Sequence, residues 1–377
     1  MQHDRIRGGE MIARYDSVDV RDAVRDYLSQ QSGTMRDTSK AHPLAAHFRE
    51  HRARLIDLAA AAADRDGTAI DLYDVRSTTS AVIGSGHLAD VLSTWGAVEA
   101  GAVIDDTVAD VRRVTTGHEL TDYRPANYPL VSVSKLDELP FDDPTIQMVN
   151  ITGTGGEPVR LRSRTFKLAF SRELVENDDR AAMAATFKAF GAMVGRRLGR
   201  DYSALLEANG TLADAVALFA SAEGNDLTSA GVDLAAVGAM TAALRDRTTP
   251  DSEHYNARPA ALIVPSAYEA TARTVVAAMY ADDDPERLRV IASPWLGGSY
   301  YYLAADPLAA PSVALLTMAG GDGALMSAMP SARPQAAAAN IPGTSRRESF
   351  DGAAIDCRAT FGLAAVGRNV VRNTTGA

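Results

Sequence analysis

Hydrolytic and metal chemistry usually needs histidine, and this chain has seven: His3, His42, His47, His51, His87, His118 and His254. His47 and His51 lie four apart on a predicted helix, a spacing that can offer two imidazoles to one metal. Glu50 is adjacent, but the order is not H-E-x-x-H and no third ligand presents itself, so a solvated helix face is expected. From residue 119 onward only His254 remains, in a polar loop, which leaves a nucleophilic triad almost without a base. Ser85 or His87 would have to serve any cryptic protease-like site. Cys357, the single cysteine, sits in an alternating strand with no histidine nearby and reads as a buried thiol. Gly153-Thr154-Gly155-Gly156 and Gly320-Gly321-Asp322-Gly323 lack the Walker A or G-x-G-x-x-G order ahead of a helix and read as turns. Asp282-Asp283-Asp284-Pro285 lacks EF-hand spacing and reads as a solvated turn. Lys135 and Lys167, on the predicted hairpin, carry amines that could in principle form isopeptide cross-links to an asparagine, with surface lysine the plainer reading. The expectation is no catalytic residue, no metal ligand and no cofactor site.

Composition narrows the class. The 377 residues allow two or three domains with a substantial core. Hydrophobic content of 46% and charged content of 23% suit a soluble globular protein. No apolar run approaches the ~20 residues that cross a bilayer, and Met1 to Gly9 is polar, so neither membrane nor secretory signal is expected. One cysteine rules out an internal disulfide framework. A net charge of -10 argues against strong sequence-specific nucleic-acid binding, though not against a surface that merely faces nucleic acid.

The strongest signal is architectural. Between Asn177-Asp178-Asp179, a capping and acidic first turn, and Asn209-Gly210, a left-handed stop, the pattern predicts an unbroken helix about 45 Å long. Met183, Phe187, Phe190, Val194, Leu198, Tyr202 and Leu205 recur at steps of three and four and line one face. Before it, VSVSKLDEL and VRLRSRTFKLAF alternate around Gly153–Gly156 and predict a long exposed hairpin over 131–170. Val18–Leu28 and Pro43–Ala63 read as helices, as does Ser85–Val98. Asp110–Arg113 and Thr121–Leu130 read as short extended pieces. Residues 232–318 alternate helix and strand: Leu234–Arg245, strand 260–265, a helix from Ser266 with Glu269 completing a capping box, then three strands. Residues 350–372 add terminal strands.

With these blocks in order, the chain resembles the Mu-like major head subunit family of tailed bacteriophages and prophages. FSRELVENDD (170–179) is similar to that family's Thr-Arg-Glu-Leu…Asn-Asp-Asp lead into its long helix. LLEANGTLADAVALFASAEGN (205–225), LIVPSAYEATAR (262–273), YYLAADP (301–307) and FDGAAIDCRATFGLAAVGRNVVRNTTG (350–376) resemble its later segments. The likeness covers about residues 80–377. Gly210 stands where the family usually has proline, Glu223 where it often has histidine, and 364–367 lacks its aspartate-tryptophan-arginine.

The resemblance implies an α+β chain with the Johnson fold of tailed-phage capsids. Its parts would be a helical arm or scaffold-like extension 1–75, an N-arm and the start of the peripheral domain 76–130, an E-loop 131–170, a spine helix with peripheral domain 171–225, an axial domain 226–345, and strands 346–377 returning to the peripheral domain. It implies a major capsid protein, not an enzyme, assembling as hexamers and pentamers into an icosahedral shell around double-stranded DNA. Implied partners are its own copies, a portal, and in some relatives a scaffold or prohead protease that removes an N-terminal segment. The DNA would be contacted non-specifically. The implied location is the virion, built in the bacterial cytoplasm. The same fold admits an encapsulin-like shell around cargo enzymes.

Overall fold

The computed structural model describes residues 17–35, 37–65, 75–133, 151–229, 231–248, 254, 256–319, 326–330 and 352–376. Lys135 and Gly320–Gly323 lie outside them. Helix and sheet are interspersed throughout, an α+β chain. By contact it falls into two units: Met1–Asp106 with Ser163–Val194 and Leu325–Ala359, and Thr107–Arg162 with Gly195–Ala324 and Thr360–Ala377.

The described residues of the first unit begin with α1 (Ser17–Gln31), α2 (Pro43–Glu50) and α3 (Leu55–Arg65). The single helix expected over 43–63 is two. The chain turns at His51–Arg54, where Arg52 takes a left-handed φ of 49°. Val20, Val24, Tyr27 and Leu28 of α1, Leu44 and Phe48 of α2, and Leu55 and Leu58 of α3 are all buried. Helix α4 (Val75–Ser85) leads into α5 (His87–Arg113), 27 residues long. Asp110–Arg113 is therefore helical, not extended: Leu92, Trp95, Ile104, Val108 and Val111 keep the three-four spacing and stay buried across a run rich in alanine and glycine.

The strands β1 (Thr116–Leu120), β2 (Ala126–Val133), β3 (Ile151–Val159) and β4 (Arg162–Ser171) come next. β2 and β3 form an antiparallel hairpin, Ala126 opposite Val159 and Val133 opposite Ile151, in place of the expected pairing of VSVSKLDEL with VRLRSRTFKLAF. Two details differ. Gly153–Gly156 is not the turn but part of β3, and Gly156 is required there because a Cβ would lie 1.7 Å from the Tyr128 carbonyl oxygen. β4 does not continue the hairpin; the alternation of buried Val159 and Leu161 ends there, and β4 lies beside a C-terminal strand.

A short helix, α6 (Arg172–Glu176), capped by Ser171, precedes α7 (Arg180–Ala208), 29 residues and about 44 Å long. Of the expected run Asn177-Asp178-Asp179, Asp179 caps α7, accepting from the Ala182 N–H at 3.0 Å. Asn209 ends it at φ 43°, and its side chain closes a pair of hydrogen bonds with the Phe219 backbone. The predicted face is buried from Met183 to Tyr202, with Leu206 rather than Leu205 completing it.

The second unit holds α8 (Leu234–Arg245), β5 (Pro259–Pro265), α9 (Glu269–Met279), β6 (Arg289–Ser293), β7 (Tyr300–Ala305) and β8 (Val313–Met318). The capping box at Ser266 does not form. Residues 266–268 make a 3-10 turn and neither segment has a side-chain cap. β9 (Met326–Pro330), β10 (Gly352–Ala365) and β11 (Val370–Thr374) complete the chain. One sheet runs β11-β7-β5-β6, with only β5 and β6 parallel. α8 and α9 bury Val237, Met240, Leu244, Ala272 and Val276 against Leu262, Val264, Tyr301 and Leu303 of this sheet. Within the same unit β1 pairs in parallel with β8, which pairs antiparallel with Gly362–Ala365 of β10. In the first unit, residues 355–359 of β10 pair with β9.

Candidate functional site

The described histidines lie at separate places in the fold, except for one pair. His47 and His51 meet edge to face with ring centroids 4.4 Å apart. Burial, and then the neighbouring His51, hold the His47 imidazole below its usual range. No cluster of three or more metal-ligating side chains exists among the described residues. His254 lies beside the Asp246 carbonyl, 3.1 Å away. Ser85 closes α4 and His87 opens α5. Cys357 is buried in β10, and desolvation pushes its thiol up to about 11, so it is neutral and unreactive at physiological pH. Asp282 pairs with Arg287, and Asp284 accepts the Glu286 N–H at 2.8 Å, as a solvated turn does. Lys167 is half exposed and 3.6 Å from Asp356.

The structure builds instead three sets of side chains that fix backbone geometry. The first is a row of glycines on α7. A Cβ on Gly191 would stand 2.4 Å from the Ala100 carbonyl oxygen of α5. One on Gly195 would stand 2.4 Å from the Thr107 hydroxyl, and one on Gly199 2.7 Å from the Trp295 ring. At every fourth residue the long helix is shaved to its backbone, which lets neighbours seat against it. On the same helix Phe187 stacks edge-on with Trp95 and Phe170, centroids 5.3 and 5.4 Å away, pairs worth about 0.5–1.5 kcal/mol each beyond area burial.

The second is at the head of α7. Glu99 of α5 is fully buried, yet four donors meet it: the Ser32 and Thr34 hydroxyls, the Trp95 indole N–H at 3.0 Å and the Lys188 ammonium at 3.5 Å. A buried carboxylate so supplied is tolerated, and deleting a donor leaves charge uncompensated. Arg180 donates to Asp178, to the Gln31 amide oxygen at 2.6 Å, to the Tyr27 hydroxyl at 3.3 Å and to the Ala53 carbonyl at 2.7 Å.

The third joins the segment after α7 to β11. Arg368 forks onto Asp214 at 2.6 and 2.7 Å and donates to the Ala217 and Val216 carbonyls. The hydrogen bond from Arg368 holds the Asp214 carboxyl down at about 2. Arg372 forks onto Asp226 while its guanidinium stacks over Tyr300 and Phe219, 4.3 and 5.1 Å from the ring centroids. Asn225 ties Leu218 to Val370, and Asn373 reaches the Tyr301 hydroxyl.

Every charged group in these sets bonds another part of the same chain. Sequence reading missed the roles of Arg180, Arg368, Arg372 and the glycine row. Glu99 alone left a signal, as a lone acid within the apolar run GAVEAGAV. One cavity of about 130 Å³ in the second unit is lined by Thr107, Tyr202, Ser203, Ser293 and Trp295, with Ser203 and Ser293 hydrogen-bonded to each other at 2.8 Å.

No curated protein matches the chain. Among solved structures it is similar to a chain of Mycobacterium phage Adephagia, at 13% identity and TM-score 0.41, covering 71% of this chain and 89% of that one. It is similar to the head structure of Helicobacter pylori bacteriophage KHP40, at 8% identity and TM-score 0.42, covering 70% and 88%. It is also similar to the holo-SrpI encapsulin complex of Synechococcus elongatus, at 10% identity and TM-score 0.41, covering 70% and 86%. The family model described as phage capsid protein matches residues 154–373, from within the hairpin to the last strand and more than half of the chain. The chain belongs to the phage capsid protein family.

Proposed function

We propose that this protein is the major capsid subunit of a tailed, Mu-like bacteriophage or prophage, assembling as hexamers and pentamers into an icosahedral shell around double-stranded DNA. The observation that carries the reading is the family match over residues 154–373. Assembly follows from repetition: many modest contacts closed into rings stabilise the shell by mass action. The subunit is structural rather than enzymatic. It is built in the host cytoplasm and resides in the virion, and no described helix is long and apolar enough to cross a membrane.

In the Johnson fold, the β2–β3 hairpin would be the E-loop. Among the described residues this two-stranded sheet pairs with nothing else. An isolated hairpin is marginal in water, and its open edges suit cover by a neighbouring copy. Helix α7 would be the spine helix, and the β11-β7-β5-β6 sheet with α8 and α9 the body of the axial domain within 226–345, with 346–377 returning to the peripheral domain. A chain of net charge -10 would touch packaged DNA weakly and without reading sequence, leaving packaging to a motor at the portal.

The test is the content of purified particles. Nuclease-protected double-stranded DNA of uniform length supports the reading. Particles that hold a cargo enzyme and no DNA would replace it with an encapsulin-like compartment.

A further inference from the structure

Asp178, between α6 and α7, is held in a left-handed conformation, φ 55°. Aspartate is among the few non-glycine residues that tolerate this conformation, and at the end of α6 the Asp178 N–H to the Val175 carbonyl and the Asp179 N–H to the Leu174 carbonyl, 3.2 and 3.3 Å, close a left-handed helix stop. Contacts from far away in sequence are added to that local stop. The Asp178 carboxylate accepts the Leu55 N–H at 3.0 Å, the first N–H of α3, and the Arg180 guanidinium at 3.0 Å. Arg180 in turn reaches Tyr27 and Gln31 of α1 and the Ala53 carbonyl just before α3. Two turns further along, Lys188 donates to the Ser32 carbonyl at 3.2 Å. The polar contacts therefore bind the end of α1 and the start of α3, residues 27–32 and 53–55, to the head of α7. Beside them lies an open cleft of about 630 Å³ lined by Leu28, Trp95, Arg180, Ala184 and Lys188. The joint is thus not close-packed there, and the charged contacts carry it.

We infer that residues 17–65 are a resident helical module of the subunit whose function is to set the α6–α7 corner, with Asp178 and Arg180 as the latch. The module fixes the direction in which β4 and α6 run into the long helix. A removable leader would leave that corner intact when it departed; here the corner depends on the module. Because the latch is ionic, salt weakens it.

Hydrogen exchange on the unassembled full-length subunit tests this, independently of whether shells form. In the wild type, amides of 20–31 and 55–62 are protected together with those of 172–180. Arg180→Ala is expected to speed exchange by on the order of tenfold in all three segments, while α8 and β5 are unchanged. If Arg180→Ala does not fold, Arg180→Lys, which keeps the charge but not the fork, shows the same three-segment pattern to a smaller degree. Acceleration confined to residues adjoining 180 overturns the inference. So does a wild type in which 20–31 and 55–62 already exchange as free chain.

Discussion

Substituting Gly191 by alanine asks whether the long helix depends on its bare backbone. The new Cβ would lie 2.4 Å from the Ala100 carbonyl oxygen and 3.0 Å from the Ala100 Cα, against an ordinary contact distance of 3.4 Å or more. The obstacle is backbone inside α5, so no rotamer change relieves it, and α5 and α7 must part locally by about 1 Å. Overpacking of this kind costs about 1–3 kcal/mol, with a backbone clash toward the upper end. Alanine returns about 1 kcal/mol of helix propensity over glycine. The net loss is about 2 kcal/mol. Gly101, next to Ala100 on α5, is the internal control. Its Cβ would meet nothing within 4 Å, so Gly101→Ala keeps the propensity gain without the clash. For a chain of this size a kilocalorie moves the midpoint by about 1.3 °C. Thermal unfolding of the unassembled subunit should therefore fall by about 2.5 °C for Gly191→Ala and rise by about 1 °C for Gly101→Ala. Equal behaviour of the two variants, or a more stable Gly191→Ala, would refute the close helix approach.

Three further outcomes follow from named groups. Asp214 has a folded-state value of about 2 against an ordinary 3.8, so its stabilisation is complete above pH 4 and is lost as pH falls toward 2. The drop corresponds to about 2.5 kcal/mol, reduced to about 1 kcal/mol because the side chain is half exposed. Asp214→Asn should be about 1 kcal/mol less stable than wild type at pH 6 and equal to it at pH 2 by urea titration; a gap that persists at pH 2 contradicts the Arg368 fork. Tyr302 is fully buried with a hydroxyl that finds no partner among the described residues, and burial holds that hydroxyl above its usual range. Tyr302→Phe should leave the midpoint unchanged or raise it slightly, and a loss above about 1 kcal/mol would reveal a hydrogen bond. Cys357 should resist a thiol reagent in the folded subunit at pH 8 and react once urea unfolds it; prompt labelling in the native state would place it at the surface.

What the sequence discloses is set by range. The long helix is legible because Met183 through Tyr202 repeat at local spacing and Asn209 marks the stop. Strands 260–265 and 312–318 are legible because fully buried strands read as continuous apolar runs. The end of α5 is not legible, since Gly101, the β-branched residues and the paired aspartates there weaken the helical signal while burial of Ile104, Val108 and Val111 restores it. Pairings such as Thr116 with Ala314 join residues nearly two hundred apart, and no local pattern encodes them. The same is true of the latch: nothing around Arg180 announces Tyr27, and a glycine within a helix reads as a weakness until the neighbour against it is seen. The scarcity of histidine supports only an expectation that no catalytic set exists, whereas membership of a capsid protein family rested on resemblance until the family match.

The central claim, that this subunit builds a closed shell, is tested most directly by expressing the full chain and imaging the largest fraction from size exclusion by electron microscopy. Uniform closed particles, resolving into rings of six and five copies with the β2–β3 hairpin against a neighbouring copy, are predicted. A subunit that stays a 39.9 kDa monomer even when co-expressed with its scaffold and portal would contradict the account.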